Sequence, residues 1–370
     1  MKNLYRVILK CKDIGLIFIF LIIIFIFSNE VSVGFKKGII LCSDILIPSL
    51  FPFMVISAFI TCYGIFNKLD KIFSPITKFL FNLPGCTAST IFLGLIGGYP
   101  SGAIGISNLL ENRLISKKQA ERMLLFLVNS GPAFVVIAVG SILLHSKNLG
   151  KILFLSQSLS AILLGFLSKF LFKESFYEIR SDMKGGNLDF SDAFVKSVKD
   201  SAQNIFNMCA FVVLFSSFTE IIKNETVLKA FINLFNVLKI DVNVGISIIF
   251  SIFEVTTGCF YLCSNRFPIG LLLFFLSFAG ICVHMQIFSC FKEDFKFSKF
   301  KFILFRILHG LISVVIFYLL LPFSHQSVET FNVFTGSVEC SFSSSGIAII
   351  FLCLCFLNTF TSSEISFKER

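Results

Sequence analysis

The segment Gly97-Gly98-Tyr99-Pro100-Ser101-Gly102 stands in the middle of an apolar run, Thr87 to Leu110, and decides how the chain can cross a membrane. Proline lacks a backbone N–H and glycine destabilises a helix interior, so this cluster breaks any helix that forms over the run. Lipid offers no hydrogen bonds to the backbone groups that such a break sets free. The sequence therefore predicts a re-entrant hairpin whose tip, Gly97 to Gly102, packs against protein.

A second apolar run, Val244 to Cys263, carries Glu254-Val255-Thr256-Thr257-Gly258 at the same relative place. An ionisable side chain at membrane depth is costly and normally faces protein or a water-filled cavity. This run is therefore predicted to form a second re-entrant hairpin, with its tip at Glu254 to Gly258.

The composition agrees with a chain that lies mostly in a bilayer. Of its 370 residues, 55% are hydrophobic and only 15% are charged, whereas soluble domains are near a quarter charged. The mean hydropathy is +0.88. The aqueous segments are short, so they leave no room for a separate soluble domain of ordinary size.

Eight other apolar segments are long enough to be membrane spans. They are Ile14–Phe27, Gly38–Phe66, Met123–Leu144, Ile152–Phe172, Ile205–Ile222, Phe267–Phe291, Phe302–Leu321 and Gly346–Phe360. If both hairpins return to the side from which they enter, most of the 32 Lys and Arg residues lie on one side. Because positive loops stay in the cytoplasm, both termini are predicted to be cytoplasmic. The fold predicted is an all-α polytopic membrane protein with about eight spans.

The two hairpins belong to two series with the same order: a span, a hairpin, an interrupted span and an unbroken span. The interruptions are Asn129-Ser130-Gly131-Pro132 in the first series and Ala279-Gly280 in the second. In the predicted topology the two series start on opposite sides, as in the inverted repeats of secondary transporters. The alternative is that Gly and Pro, which are frequent in membrane helices, form this pattern by accident. The domains predicted are a signal anchor (1–37), a first repeat (38–172), a cytoplasmic linker (173–203), a second repeat (204–321) and an outer loop with a last helix (322–370).

Several stretches resemble the YlbJ family of sporulation integral membrane proteins, also called SpoVV, in which two Gate domains occur. They are Gly98–Ala103, Glu111-Asn112, Asn129–Phe134, Phe253–Gly258 and Gly280–Gln286. The resemblance implies a protein made in the mother cell of an endospore-forming bacterium and placed in the outer forespore membrane. It also implies movement of dipicolinate toward the spore. Gate domains occur in nucleoside transporters and ferrous-iron permeases too, so a nucleoside or another solute is the alternative.

The candidate pathway residues lie at the hairpin tips and the broken spans. Exposed backbone N–H groups and helix N-termini at these places favour an anion. The alternative for Ser and Gly is close helix packing. Glu254 is a candidate carrier of a proton or cation, or else a structural carboxyl paired with His284 or a hairpin N–H. The full set is Ser101, Gly102, Asn129, Ser130, Gly131, Glu254, Thr256, Thr257, Gly258, His284 and Gln286.

No enzyme signature stands out, because the sequence has neither an HExxH pair nor a GxxxxGK[ST] loop. The twelve Cys are scattered in apolar runs and read as buried thiols, so neither a metal nor a cofactor is expected. The partners expected are a small anion, a coupling proton or cation, and the lipid bilayer, without nucleic acid. A sporulation scaffold that moves no solute is the remaining alternative, and the oligomeric state is left open.

Overall fold

The computed structural model describes residues 14–15, 17–63, 65–172, 188–292 and 295–323. Within these ranges every regular element is a helix, and no β-strand occurs. The predicted all-α class is confirmed.

The chain begins with a short helix, α1 (Ile17–Ile26), that meets the next helix at an angle of 89°. Helix α2 (Ser28–Leu41) continues through one π-helical turn, Cys42–Leu46, into α3 (Ile47–Cys62). The predicted boundary between residues 37 and 38 therefore falls inside α2. Lys37, which lies outside the predicted spans, is on the surface of this helix and pairs with Glu220.

The first repeat opens with α3 as its first span and has the predicted order of elements. After α3 come α4 (Ile65–Phe81), α5 (Ala88–Ile96), α6 (Tyr99–Glu111), α7 (Lys117–Leu124), a π-helix (Ala133–Leu143) and α8 (Lys147–Leu171). Ser116 begins α7 with a capping box to Gln119, as its position before a charged helical stretch indicated. Residues 125–131, between α7 and the π-helix, contain no helix.

The second repeat has the same order, beginning with a longer helix. Its helices are α9 (Phe190–Lys223), α10 (Glu225–Val237), α11 (Val242–Phe253), α12 (Val255–Ser264), α13 (Ile269–Phe278), α14 (Gly280–Ser289) and α15 (Lys299–Leu320). Ala279, in the left-handed conformation with a φ of 80°, separates α13 from α14. Both predicted broken spans are thus present.

Both re-entrant hairpins are confirmed. Their arms, α5 with α6 and α11 with α12, have 9, 13, 12 and 10 residues. Such helices are about 14–20 Å long, whereas the hydrocarbon core of a bilayer is about 30 Å thick. Sharp bends precede both hairpins, 95° before α5 and 118° before α11.

The two repeats also share the turn that ends each hairpin. Arg113 and Arg266 both have a φ of 55°, and each follows an asparagine. The side-chain amide of Asn112 donates to the Asn108 carbonyl at 2.8 Å, and that of Asn265 donates to the Tyr261 carbonyl at 2.9 Å. This match shows that the repeat is not an accident of Gly and Pro frequency.

Helix α9 corrects the predicted linker, residues 173–203. The helix begins at Phe190, so the end of that segment is helical, while residues 173–187 lie outside the described ranges. Buried small residues at intervals of four, Ala193, Ser197 and Ser201, form a packed face at the start of the helix. The rings of Phe190 and Phe59 on α3 also meet, with centroids 5.0 Å apart.

By length and composition, four described helices could each cross a membrane, and up to seven spans result if each bent pair counts as one. The four are Lys147–Leu171, Phe190–Lys223, Ile269–Ser289 and Lys299–Leu320. The predicted last span, 346–360, lies outside the described residues, as does most of the predicted segment 322–370.

Candidate functional site

In each repeat, the glycine of the broken span lies against the tip of the hairpin. A Cβ added to Gly131 would stand 3.1 Å from the backbone N of Gly98, which itself has a φ of 92°. A Cβ on Gly280, whose φ is 70°, would stand 3.0 Å from the carbonyl oxygen of Ser251. Glycine is needed at both breaks because backbone meets backbone there.

The two tips and the two breaks surround one small central cavity. Its volume is ≈ 40 Å³, room for a few water molecules at most. Four predicted residues line it: Gly131, Glu254, Thr256 and Gln286. The structure therefore shows a narrow centre that brings some of the predicted site residues together.

Glu254 caps the N-terminus of α12 from this cavity. It is 1% exposed, and its two carboxylate oxygens accept hydrogen bonds from the backbone N–H groups of Thr256, at 2.9 Å, and Thr257, at 2.6 Å. The helix dipole adds to the stabilisation of a negative charge here. The predicted structural pairing with a hairpin N–H is thus present.

The alternative pairing of Glu254 with His284 is wrong. The His284 Nε2 atom lies 2.9 Å from the Phe278 carbonyl oxygen, and its ring packs between those of Phe278 and Phe302. His284 does not line the central cavity. The break at Ala279 leaves the Phe278 carbonyl without its helical partner, and this imidazole covers it.

The other predicted residues do not line the central cavity but bond to, or pack against, the residues around it. The Ser101 hydroxyl donates to the Gly97 carbonyl at 2.8 Å, and Ser130 donates to Gln157 at 2.5 Å. Asn129 donates to the carbonyls of Gly94 and Phe126, while its Oδ1 has no partner. Gly102 and Gly258 permit close packing, since an added Cβ would stand 2.0 Å from the Leu127 oxygen and 2.3 Å from the Ser251 Cα.

Arg306 is an important residue that sequence reasoning missed, because it falls among the basic residues assigned to the cytoplasmic side. The side chain is fully buried on α15. Its guanidinium donates to the Leu125 carbonyl at 2.6 Å and to the Val128 carbonyl. Arg306 thus supplies hydrogen-bond donors to backbone carbonyls in the unwound part of the first broken span, which lipid could not do.

Tyr99 is a second missed residue, and it joins the two repeats. Its hydroxyl at the start of α6 donates to the Leu276 carbonyl of α13 at 2.7 Å. Tyr99 also lines the central cavity. The first hairpin tip is therefore anchored to the broken span of the other repeat.

Two larger cavities adjoin the central one. The lysine vestibule, with a volume of ≈ 370 Å³, is lined by Lys37, Glu220 and Lys223 and shares Phe134 and Thr256 with the centre. The amide vestibule, with a volume of ≈ 240 Å³, has a different lining and shares Pro100, Met208 and Gln286 with the centre. Its amide side chains are Asn108, Asn204, Asn207 and Gln286.

One face of α9 runs through all three cavities. Asn204 lines the amide vestibule, Val212 the centre and Lys223 the lysine vestibule. At about 1.5 Å per residue, Asn204 and Lys223 are about 28 Å apart along the helix, close to the thickness of the hydrocarbon core. The equivalent arms α6 and α12 line opposite vestibules, as an inverted repeat requires.

The chain is similar to known proteins in two comparisons. Residues 45–147 match the Gate family, described as nucleoside recognition. The chain is also 22% identical, over 312 residues, to the sporulation integral membrane protein YlbJ of Bacillus subtilis (strain 168). This chain is a homologue of YlbJ and contains a Gate domain. The alignment covers 77% of this chain and 76% of YlbJ, and no solved structure matches the chain significantly.

The Gate match coincides with the site described above. It begins just before α3 and ends where α8 begins, so it includes the hairpin α5–α6 and the broken span around Gly131. The resemblance to the YlbJ family that the motifs indicated is confirmed, and residues of Gly98–Ala103 and Asn129–Phe134 help to build the central cavity.

Proposed function

We propose that this protein moves a small solute across a membrane during sporulation, along the face of α9 that lines three successive cavities. The observation that supports this proposal is the row of three cavities. Two vestibules, each large enough for a small molecule, are separated by a central cavity of ≈ 40 Å³. Both hairpin tips line that centre. Broken helices that meet near the midplane are the usual architecture of secondary transporters.

The proposed membrane is the outer forespore membrane, with both termini in the mother-cell cytoplasm. The likeness to a sporulation protein and the bias of Lys and Arg support this placement. In this orientation the lysine vestibule opens outward and the amide vestibule opens to the mother cell.

The solute proposed is a small organic anion, dipicolinate. The lysines at one mouth of the path favour an anion. The carboxylate of Glu254 in the centre opposes one, because like charges repel at short range. A dicarboxylate would therefore pass Glu254 together with a proton or a cation.

A neutral nucleoside is the second candidate, because no Lys or Arg side chain lines the central cavity. Its lining offers a carboxylate, a hydroxyl and an amide, at Glu254, Thr256 and Gln286. Such groups hydrogen-bond the hydroxyl and amine groups of a neutral solute without an uncompensated charge.

Proteoliposomes that contain the purified protein test both candidates. We expect uptake of radiolabelled dipicolinate above that of empty liposomes, and a change in its rate when a pH gradient is imposed. Uptake of uridine alone would replace the anion with a nucleoside. Uptake of neither solute by correctly folded protein would contradict transport by this chain alone and favour a scaffold.

A further inference from the structure

Glu220 holds two lysines together at the wall of the lysine vestibule. The Lys37 ammonium on α2 lies 2.9 Å from one carboxylate oxygen of Glu220, and the Lys223 ammonium bonds the other oxygen. One carboxylate thus serves two ammonium groups. The charged lining of this vestibule carries an excess of one positive charge.

The surroundings of Lys223 suit a flat, apolar anion. Its Nζ lies 5.4 Å from the ring centroid of Phe250 and 5.2 Å from that of Tyr261. Of the aromatic residues, Phe134, Phe260 and Tyr261 line the vestibule, whose ≈ 370 Å³ falls in the range of small-molecule sites. An aromatic carboxylate could place its charge on the lysines and its ring against these side chains.

The outer ion pair can exchange its partner. The Lys37 side chain is 58% exposed, whereas that of Glu220 is 11% exposed. Another carboxylate can therefore bind the solvated Lys37 ammonium at small cost, provided that the largely buried Glu220 stays paired with Lys223.

The amide vestibule lacks these features. Glu111 is its charged lining residue, and Lys292 already pairs with this carboxylate at 3.1 Å. The two mouths of the path therefore differ in charge, and only the lysine vestibule combines excess positive charge with aromatic walls.

We infer that the lysine vestibule is a binding site for a small aromatic carboxylate, which replaces Glu220 on the Lys37 ammonium and lies next to the Lys223 ammonium, while Glu220 stays paired with Lys223. The inference rests on the proposed transport function, since it names the solute class that first binds at this mouth. Glu220 occupies the lysines while the site is empty and keeps them in position.

Equilibrium binding of labelled dipicolinate, with benzoate as a second probe, tests this site without requiring transport. Purified protein in nanodiscs is compared with its Glu220→Gln, Lys223→Gln and Lys229→Gln variants. We expect about threefold to tenfold tighter binding for Glu220→Gln, which frees both lysines, and weakening of the same order for Lys223→Gln. Lys229, an exposed residue that pairs with Glu225 on α10, is the matched control and should leave binding unchanged.

The outcomes separate this site from the transport function. If folded protein binds dipicolinate equally well in all variants, the anion binds elsewhere and this site is refuted while transport stands. If folded protein binds neither probe but takes up uridine, the aromatic-carboxylate site is refuted and the path carries a neutral solute.

Discussion

Glu254→Gln is expected to lower solute uptake by about tenfold or more, with little loss of folded protein. Both carboxylate oxygens accept backbone N–H bonds, and a glutamine would direct its NH2 group at one of these donors. Leaving one buried N–H without an acceptor costs about 1–3 kcal/mol, which is enough to displace the tip of the second hairpin. The substitution also removes the one charged side chain among the described residues that line the centre. The uptake rate in proteoliposomes measures the effect.

Glu254→Asp keeps both the negative charge and the N-cap. Aspartate is a favoured N-cap residue and keeps the negative charge, so uptake should stay within a few-fold of the wild-type rate. The exposed Glu225 on α10 provides the control substitution Glu225→Gln, which should be silent. Wild-type uptake by a folded Glu254→Gln variant would exclude Glu254 from the pathway.

Arg306→Gln is expected to cause the largest loss of stability. The guanidinium holds two carbonyls of the unwound segment, those of Leu125 and Val128, in a fully buried place. Hydrogen bonds to a charged group contribute about 1.5–3 kcal/mol each, so loss of both should lower the free energy of unfolding by about 3–6 kcal/mol. Thermal unfolding of the protein in detergent, followed by size-exclusion chromatography, measures this loss.

Arg306→Lys tests whether charge alone is sufficient. Lysine keeps the positive charge but has one nitrogen in place of the planar guanidinium with its several donors. We therefore expect Arg306→Lys to recover only part of the stability that Arg306→Gln loses. Arg266→Gln, at an exposed turn, is the matched control and should unfold like the wild type. Equal stability of all three variants would show that the unwound segment does not depend on Arg306.

The hairpins and breaks could be predicted from sequence because their signals are local. A cluster such as Gly97 to Gly102 predicts a helix break wherever the rest of the chain lies, and the structure has that break at Gly97 and Gly98, directly before α6 begins. The same reasoning found Gly131, Glu254 and Ala279-Gly280. The Asn-Arg turns, Asn112-Arg113 and Asn265-Arg266, are a further local signal of the repeat that sequence reasoning did not use.

The vestibules and the buried Arg306 could not be predicted, because they depend on contacts between distant residues. Lys37 and Glu220 are 183 positions apart, and Arg306 and Val128 are 178 apart. Counting Lys and Arg by loops also assumes that basic residues are solvated. Arg122 contradicts that assumption, since it is 1% exposed and donates to the carbonyls of Phe81 and Asn82.

A pair of methionine substitutions tests the path along α9 most directly. Met208 is 7% exposed and lines both the central cavity and the amide vestibule, whereas Met285 is 41% exposed and lines none of the three cavities. Met208→Trp should fill the centre and reduce uptake of the transported solute to the level of empty liposomes, while Met285→Trp should leave uptake unchanged. Wild-type uptake by a folded Met208→Trp variant would contradict passage through the central cavity.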